Sequence, residues 1–432
     1  MSLTAAEQYL LELMNRARLD PAAEAARIGI DLNQGLAAGQ ISTLSKQVLA
    51  PNALLEAAAT KHSLWMLQTD TFSHTGVNNS RPDQRVTAEG YVWLRTGENI
   101  AYVGSTGAVT MEGSIETLYT NLFLSADHRL NVMQGAYREI GLGAETGIFT
   151  QGGVNYNTAM LTETFGTSGT AHFLTGVAYA DRNGDQFYSM GEGSAGIVFR
   201  SAGLVATTAE AGGYSLTLAS DVATAVTGTV GAKNFALTVD MSPGNVKLDI
   251  VDGTTFYTSG SLTLGVGLNK VVMLGLNNLS VVGNNAVNTL TGNAGSNLMA
   301  GGIGGDALTG NAGLDELHGG SGNDKLFGGT GADRLYGEVG NDVISGGADA
   351  DVFVFAKAGG SDTITDFKLA EGDMLLLDHR LWAGQNLKEA GVVQLFGAKL
   401  AGEVVLDFGN GQVIHLTGLP NMIGLAAQID IF

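Results

Sequence analysis

The sequence predicts a multidomain protein: a mixed α/β domain, then an antiparallel β-sandwich, then a repetitive β-structure. Three observations support this prediction. The N-terminal third alternates helical and strand-like segments, the middle part has short alternating runs separated by Gly and Asp, and a period of nine residues begins at Gly283. These changes of pattern place the predicted domains at residues 1–168, 171–275, 283–354 and 355–432.

The composition restricts the partners of the chain. Its 432 residues include 63 Gly and no Cys, and 22 Lys+Arg against 42 Asp+Glu give a net charge of −20. Nucleic acid and anionic membranes would repel this charge, so cations are the expected partners. Disulfides and thiolate metal sites are excluded. We expect no membrane span, because no apolar run reaches about 18 residues, and no N-terminal export signal.

The N-terminal part is predicted to contain three main helices. Thr4 and Glu7 form a capping-box pattern ahead of an apolar stripe that ends near residue 18. A second helix is expected to begin after Asn52. The remaining elements predicted from periodicity are a helix at 110–124 and strands at 139–143 and 157–165.

The middle part contains a candidate calcium loop, DRNGDQFYSMGE. Its oxygen-bearing positions follow the ligand spacing of an EF-hand loop: Asp181, Asn183, Asp185, Phe187 through its carbonyl, Ser189 and Glu192. Gln186 stands where an EF-hand has Gly, and strand-like sequence flanks the loop. The surrounding phrase resembles the calcium-binding prealbumin-like sandwiches of bacterial surface adhesins, which implies one structural Ca²⁺ between strands. An ordinary polar turn is the alternative.

Eight nonapeptide frames run from Gly283 to residue 354. Position one is always Gly and position eight is always apolar, so stacked frames would bury an apolar column. With two frames per coil, acidic side chains at position six would stack about 4.8 Å apart and repel one another. Calcium, with six to eight oxygen ligands, fits this spacing better than Mg²⁺. The predicted calcium ligands are Asp306, Asp315, Asp324, Asp333, Asp342 and Asp351, whereas Asn288 and Asn297 predict weak or absent sites in the first two frames.

These frames resemble the G-G-x-G-x-D repeats of the RTX family. The resemblance implies a parallel β-roll loaded with several Ca²⁺ ions, and residues 351–378 resemble the cap that follows the roll in serralysin-type proteins. It further implies export from a Gram-negative cell by the type I secretion machinery through an uncleaved C-terminal signal, which the ending AAQIDIF resembles. A solvated low-complexity linker is the alternative, and strict periodicity argues against it.

Polar residues in the N-terminal part concentrate in the phrases FSHTG, TGENIA and ADHRLN. Their members His74, Glu98 and His128 could hold Zn²⁺ or act as general acid and base, and a hydrogen-bonded network that fixes the loops is the alternative. In order with EQYLLELMNRARLDP, YREIGLG and AMLTETFG, these phrases resemble the CAP superfamily. The resemblance implies an α-β-α sandwich with a cleft where two His and two acids meet. The fourth member stays open between Glu116 and Asn121.

The sequence therefore predicts a secreted, extracellular, calcium-binding modular protein whose CAP domain binds a lipid, a peptide or a cell surface. Its fold class combines an α-β-α sandwich, an antiparallel β-sandwich, and a parallel β-roll with a C-terminal β cap. One alternative is a secreted zinc-dependent hydrolase that uses the CAP cleft. Another is an adhesin-like structural surface protein. Catalysis is not the favoured role.

Overall fold

A computed structural model describes residues 3–219, 222–382, 385–400 and 402–432. The chain divides into two compact units, one of residues 1–234 and 240–253 and the other of residues 235–239 and 254–432. Within the described ranges, no helix is long and apolar enough to cross a membrane.

The helices of the first unit begin at the caps that the sequence encodes. Thr4 and Glu7 form the predicted capping box, and the Asn52 side chain accepts hydrogen bonds from the N–H groups of Leu54 and Leu55. The helices are α1 (Ala5–Leu19), α2 (Pro21–Ile28), α3 (Ala53–Thr69), α4 (Pro82–Ala88), α5 (Met111–Leu124) and α6 (Ala126–Val132), with a 3₁₀ turn at Val77–Asn79.

A four-stranded sheet lies between these helices. Its strands are β1 (Ala50–Pro51), β2 (Arg95–Ser105), β3 (Glu139–Gln151) and β4 (Val154–Thr167), in the order β1-β3-β4-β2. One face packs against α1 and α5 and the other against α3. At Gly141 and Gly143 a Cβ atom would overlap the backbone of α3, so glycine permits this close approach. The predicted α-β-α sandwich is confirmed.

The middle strands pair mainly in antiparallel fashion. β5 pairs with β8 and β6 pairs with both β7 and β9, whereas β11 lies parallel to β5. The strands are β5 (His172–Tyr179), β6 (Val198–Ser201), β7 (Leu204–Thr207), β8 (Gly213–Leu218), β9 (Ala223–Val230), β10 (Lys233–Asp240) and β11 (Val246–Val251).

Two contacts join these strands to α1 within the first unit. Buried Lys247 on β11 forms ion pairs with Asp249 and with Glu12 on α1, the latter at 2.7 Å between Nζ and Oε2. Phe187 packs against the core beside α1, with the Arg16 guanidinium 4.6 Å from its ring centroid. The contact between α1 and the middle part of the chain therefore combines apolar packing with a buried charged triad.

The second unit is a parallel solenoid with two strands per coil. Strands two apart in sequence pair with an offset of 18 residues through the repeats, for example Leu290 with Leu308 and Leu308 with Leu326. One sheet contains β12 (Thr255–Thr258), β14 (Lys270–Met273), β16 (Thr289–Thr291), β18 (Ala307–Ala312), β20 (Lys325–Thr330), β22 (Val343–Ala348) and β24 (Ser361–Ile364). The other contains β13 (Leu262–Leu264), β15 (Ser280–Val282), β17 (Leu298–Ile303), β19 (Glu316–Ser321), β21 (Arg334–Val339), β23 (Val352–Phe355) and β25 (Met374–Leu377).

The apolar side chains at position eight of each frame are fully buried between the two sheets, from Leu290 to Phe353. This confirms the predicted parallel β-roll. The described pairing also begins upstream of Gly283, where β12 pairs with β14 and β14 with β16.

The roll is followed by a C-terminal β-structure, as predicted. β28 pairs with β24 and β29 pairs with β25, so both sheets continue into this segment. Its elements are a 3₁₀ turn (His379–Trp382), α7 (Glu389–Phe396), β26 (Gly397–Leu400), β27 (Glu403–Gly409), β28 (Gln412–Thr417), a second 3₁₀ turn (Leu425–Gln428) and β29 (Ile429–Ile431).

Candidate functional site

The position-six aspartates form two stacked columns in the roll. Asp324 illustrates the pattern: its Oδ1 accepts the N–H of Asp306 at 2.7 Å, and its own N–H donates to Asp342 Oδ1 at 2.8 Å. The other column contains Asp315, Asp333 and Asp351 with the same bonds. One oxygen of each carboxylate therefore ties a coil to the preceding one.

The second oxygen of each carboxylate has a different environment. In all six aspartates Oδ2 is buried and has no hydrogen-bond partner among the described residues, and the side chains are at most 2% exposed. A Cβ atom at Gly310 would collide with both Asp315 Oδ2 and the Gly328 carbonyl oxygen, so these two oxygens border the same narrow space. Carboxylate and carbonyl oxygens are the ligands that Ca²⁺ prefers.

Because these aspartates are buried without a counter-charge, their ionised form is destabilised relative to the protonated form. Burial raises the pKa of Asp315, Asp324 and Asp333 to about 6. The pKa values of Asp342 and Asp351 rise to about 7, again mainly through burial. A bound cation would remove this penalty at neutral pH.

The first two frames have no carboxylate oxygen at position six, because Asn stands there in place of Asp. Asn288 Oδ1 accepts the N–H of Asn284 at 2.9 Å, and its amide donates to Asn284 Oδ1 at 3.3 Å. Asn297 makes the corresponding bonds with Asn293. Both amides are satisfied within their own turns and carry no charge.

Two aspartates beyond the nonapeptides continue the columns, and the sequence analysis did not identify them. Asp362 Oδ1 accepts the N–H of Asp342 at 2.9 Å, and Asp373 Oδ1 accepts that of Asp351 at 3.1 Å. They lie 20 and 22 residues after the aspartates to which they bond, rather than 18. A search for a strict repeat therefore does not find them. Asp373 Oδ2 also accepts the Lys368 N–H at 2.7 Å, so both of its oxygens are occupied.

The candidate calcium loop folds around its own polar side chains. Asp181 accepts the N–H groups of Gly184 and Gln186, and Glu192 accepts those of Arg182 and Ser189. The amide of Asn183 donates to Asp185 Oδ2 and Ser189 Oγ, while the Phe187 N–H donates to Asp185 Oδ1. Gln186 has a φ of +59°, the left-handed conformation that explains the usual Gly at this position. Calcium binding here stays a prediction.

In the α-β-α sandwich, Glu98 on β2 is the centre of the polar cluster. Its Oε1 accepts a hydrogen bond from His74 Nδ1 at 2.9 Å, and its Oε2 accepts one from Arg85 Nη2 on α4 at 2.5 Å. Buried His62 on α3 approaches the same carboxylate, with Nε2 3.9 Å from Oε1. The Glu98 charge is therefore already neutralised by Arg85, a residue that the sequence analysis missed.

His128 lies on α6 and is held through its backbone. The Asn99 side chain donates to the His128 carbonyl at 3.2 Å. Burial lowers the pKa of the His128 imidazole, and nearby His74 lowers it further. Glu116 and Asn121, the two candidates for the fourth member, are exposed on α5.

The zinc hypothesis gains no support from this arrangement. Around His74, Glu98 and His128, the described residues contain no group of three His, Asp or Glu side chains positioned to hold a metal ion. Glu98, the acid at the centre of the cluster, is occupied by a guanidinium and an imidazole. The contacts of the cluster correspond to the hydrogen-bonded network that was the alternative reading.

A buried acid that the sequence analysis also missed is linked to the polar cluster through Asn99. Glu163 on β4 is fully buried, and its Oε2 accepts a hydrogen bond from Asn99 at 2.9 Å. Its Oε1 has no partner in the described ranges, and burial raises the pKa of Glu163 to about 7. Through Asn99, this acid supports the backbone that carries His128.

Glu163→Gln is expected to stabilise the protein at pH 8. Because the folded pKa lies above the unfolded value, the carboxyl loses stability as pH rises from about 4.5 to about 7, and the neutral amide avoids this loss while keeping an acceptor for Asn99. The expected gain at pH 8 is on the order of 3 kcal/mol, with little difference at pH 4.5. Thermal unfolding of both proteins at the two pH values measures it. A Gln variant no more stable than the wild type at pH 8 would contradict it.

Comparison with known families identifies two parts of the chain. Residues 11–156 match the model of the cysteine-rich secretory protein family, CAP. Residues 282–317 and 318–353 match that of the RTX calcium-binding nonapeptide repeat. The comparison with curated proteins found no match.

Similar solved structures each cover about a third of the chain. An extracellular SCP-domain protein from Bacillus anthracis is 21% identical over 28% of this chain and 34% of its own, with a TM-score of 0.21, so this chain spans about a third of that protein. An outer surface protein from Borrelia burgdorferi is 16% identical over 35% and 96%, with a TM-score of 0.22. A subunit of the Azotobacter vinelandii mannuronan C5-epimerase is 25% identical over 34% and 80%, with a TM-score of 0.21.

The family matches coincide with the α-β-α sandwich and with the repeats of the roll. Both agree with the sequence-based prediction of CAP and RTX elements, and together they fit a secreted, calcium-binding modular protein. The chain thus contains a CAP domain over residues 11–156 and RTX calcium-binding nonapeptide repeats over residues 282–353.

Proposed function

We propose that this is an extracellular protein whose β-roll is stabilised by Ca²⁺ between the aspartate columns, and whose CAP domain binds a lipid, a peptide or a cell surface. One observation carries the calcium part: six equivalent carboxylate oxygens are buried, and the described residues offer them no hydrogen-bond donor. Asp306, Asp315, Asp324, Asp333, Asp342 and Asp351 would hold the ions together with turn carbonyls.

Electrostatics explains why the columns need these ions. Two carboxylates one strand spacing apart repel by about 3 kcal/mol at an effective dielectric constant of 20. Each column repeats this repulsion along the roll. Divalent cations would replace repulsion by attraction and supply counter-charge to Oδ2, and the Ca²⁺ coordination number accommodates both carboxylates and carbonyls.

The same requirement suggests a role in export. Where free calcium is scarce the columns stay unfavourable, and where it is abundant the free energy of ion binding becomes free energy of folding. We therefore propose a type I secretion substrate that completes its fold outside a Gram-negative cell. The RTX repeats support the type I route.

The substitution Asp324→Asn tests the calcium part of the proposal. Asparagine retains an acceptor for the Asp306 N–H but removes the charge, so it separates the metal ligand from the hydrogen bond. In excess Ca²⁺ we expect the variant to bind fewer ions and to lose stability, by about 2.7 kcal/mol per ion lost at 100 times the dissociation constant. In EGTA the variant is expected to be at least as stable as the wild type, because one buried charge is gone.

Asn288→Ala is the matched control, at the same frame position without a charge. It is expected to leave calcium stoichiometry unchanged in equilibrium dialysis. The proposal would be overturned if Asp324→Asn bound as many ions as the wild type and lost the same stability with and without Ca²⁺.

A further inference from the structure

A groove of about 410 Å³ lies within the first unit, beside the strands β7 and β8. Each of these strands is the last one of its sheet in the described residues, so each has an edge without a neighbouring strand. None of the described residues that line the groove is charged. The walls include Leu3, Gln8, Phe173 on β5, Thr207 on β7, and Ser215 and Thr217 on β8.

The main chain of β8 faces its neighbour β5 and the open edge in alternation. Gly213 lies opposite Val177 in this antiparallel pair, and the Val177 N–H donates to Asp249 Oδ1 on β11, on the other side of β5, at 2.9 Å. Opposite residues of an antiparallel pair either exchange both main-chain hydrogen bonds or exchange neither. Because Val177 and Gly213 exchange neither, the N–H and C=O groups of Ser215 and Thr217, two and four residues later, point to the open edge.

This edge lacks the features that protect sheet edges from additional strands. The sequence of β8, GYSLTL, contains no charged residue and no Pro, and its pairing with β5 runs without a shift of register. Its first residue is covered, since a Cβ atom at Gly213 would overlap Gln8 Oε1 and the Gly213 C=O accepts the Ala209 N–H at 3.0 Å. Ser215 and Thr217 therefore present two N–H and two C=O groups to the groove, at the spacing of a β-strand.

We propose that this groove binds an extended, uncharged peptide segment of a partner protein, which adds to β8 as a further strand. Main-chain hydrogen bonds with Ser215 and Thr217 would supply the affinity. A charged side chain of the peptide would find no opposite charge on the walls and would lose its hydration there. Because residues of β7 and of the N-terminal part also line the groove, a single strand enters it more readily than the sheet edge of a second folded copy. The inference goes beyond the binding role proposed for the CAP domain and is independent of calcium.

Two pentapeptides test the proposal on the full-length protein in Ca²⁺. The first is acetylated, amidated and built of alternating Thr and Val, and it is about 17 Å long when extended. We expect saturable binding that slows hydrogen exchange of the Ser215 and Thr217 amides, measured by NMR, and leaves the amides of Tyr214 and Leu216, which face β5, unchanged. The second peptide is the same but N-methylated at its three central residues. It is expected to bind at least about tenfold more weakly, because it lacks main-chain donors.

Thr217→Pro removes one outward N–H and leaves the hydrogen bonds between β5 and β8 in place, as Pro is tolerated where a strand's N–H faces away from its partner. Thr217→Val is the matched control, since it keeps the N–H and the branched side chain. We expect the Pro variant to bind the first peptide at least about tenfold more weakly and the Val variant to bind it like the wild type.

No saturable binding, equal affinity for the two peptides, or slowed exchange away from β8 would overturn the proposal. Sedimentation that shows a wild-type dimer, converted to a monomer by Thr217→Pro, would overturn it as well, because a second copy would then occupy the edge. The exchange measurement on the wild-type protein decides the question even if Thr217→Pro fails to fold. Calcium binding by the roll is unaffected by any of these outcomes.

Discussion

Chelation of calcium is expected to unfold the repeats of the roll at pH 8 while the CAP domain stays folded. Without cations, the two columns would retain buried, ionised carboxylates whose Oδ2 atoms have no donor in the described residues. Each of the six aspartates adds this free-energy cost of a buried charge, so we expect the total cost to exceed the few kcal/mol that separate folded from unfolded domains. The CAP domain has its own core and contains none of these residues.

Hydrogen exchange resolved by peptide measures this result. In EGTA, peptides from 301–354 are expected to lose protection, whereas peptides from α3 and β3 keep theirs. Addition of Mg²⁺ in the presence of EGTA serves as the control. It should restore little of the protection from exchange, because Mg²⁺ requires a compact octahedral site and retains its bound waters. Unchanged protection of 301–354 in EGTA would contradict the proposed function.

Low pH is expected to stabilise the calcium-free roll, though less than calcium does. Burial raises the pKa of Asp324 to about 6 and of Asp342 to about 7, above the unfolded value of 3.8. The folded apo state therefore binds protons more tightly and gains stability as pH falls from about 7 to about 4. In EGTA, circular dichroism should show more β-structure at pH 5 than at pH 8.

Gly322→Ala is expected to have the second largest effect, even in saturating Ca²⁺. Gly322 has a φ of +139°, and a Cβ atom there would overlap the carbonyl oxygen of Gly304 in the preceding coil. The coils would have to separate at this point, and we expect a loss of about 3 kcal/mol or more from the strain and the lost packing. Thermal unfolding in excess Ca²⁺ measures this loss.

Gly305→Ala provides a control in the same repeat region. Gly305 does not have a left-handed φ, and the nearest atom to its added Cβ would be the Asn323 carbonyl oxygen at 3.1 Å. A small shift relieves this contact, so a loss below about 1 kcal/mol is expected. Similar losses in the two variants would contradict the role given to Gly322.

The sequence predicted the roll well because the geometry constrains three positions of every frame. The position-eight residue faces the core, the position-six aspartate of the last six frames bonds to the neighbouring coil, and Gly is needed where coils approach closely. Strands such as Lys270–Met273 were not recognised as coils, because they pair in the same way without the nonapeptide pattern. Asp362 and Asp373 were missed because inserted residues change the spacing.

The sequence predicted only the residue types of the polar cluster in the CAP domain, not its contacts. Its phrases identified His74 and Glu98, which the structure brings together at 2.9 Å. Arg85 was not predicted as the cation on Glu98, because it comes from a separate short helix and no local pattern links the two residues. Glu163 depends on strand register, since it faces Asn99 across the β2–β4 pair.

The buried ion pairs of Lys247 with Glu12 and Asp249 restrict which domains of this protein could be replaced by recombination. A replacement N-terminal domain without an acid at the position of Glu12 would leave the ammonium group with weaker compensation in a dry environment. Recombination between residues 168 and 171, where the first predicted domain ends and the second begins, would separate Glu12 from Lys247 and Asp249. The first helix and the strands through residue 251 are therefore expected to be inherited as one block, although a family boundary falls between them.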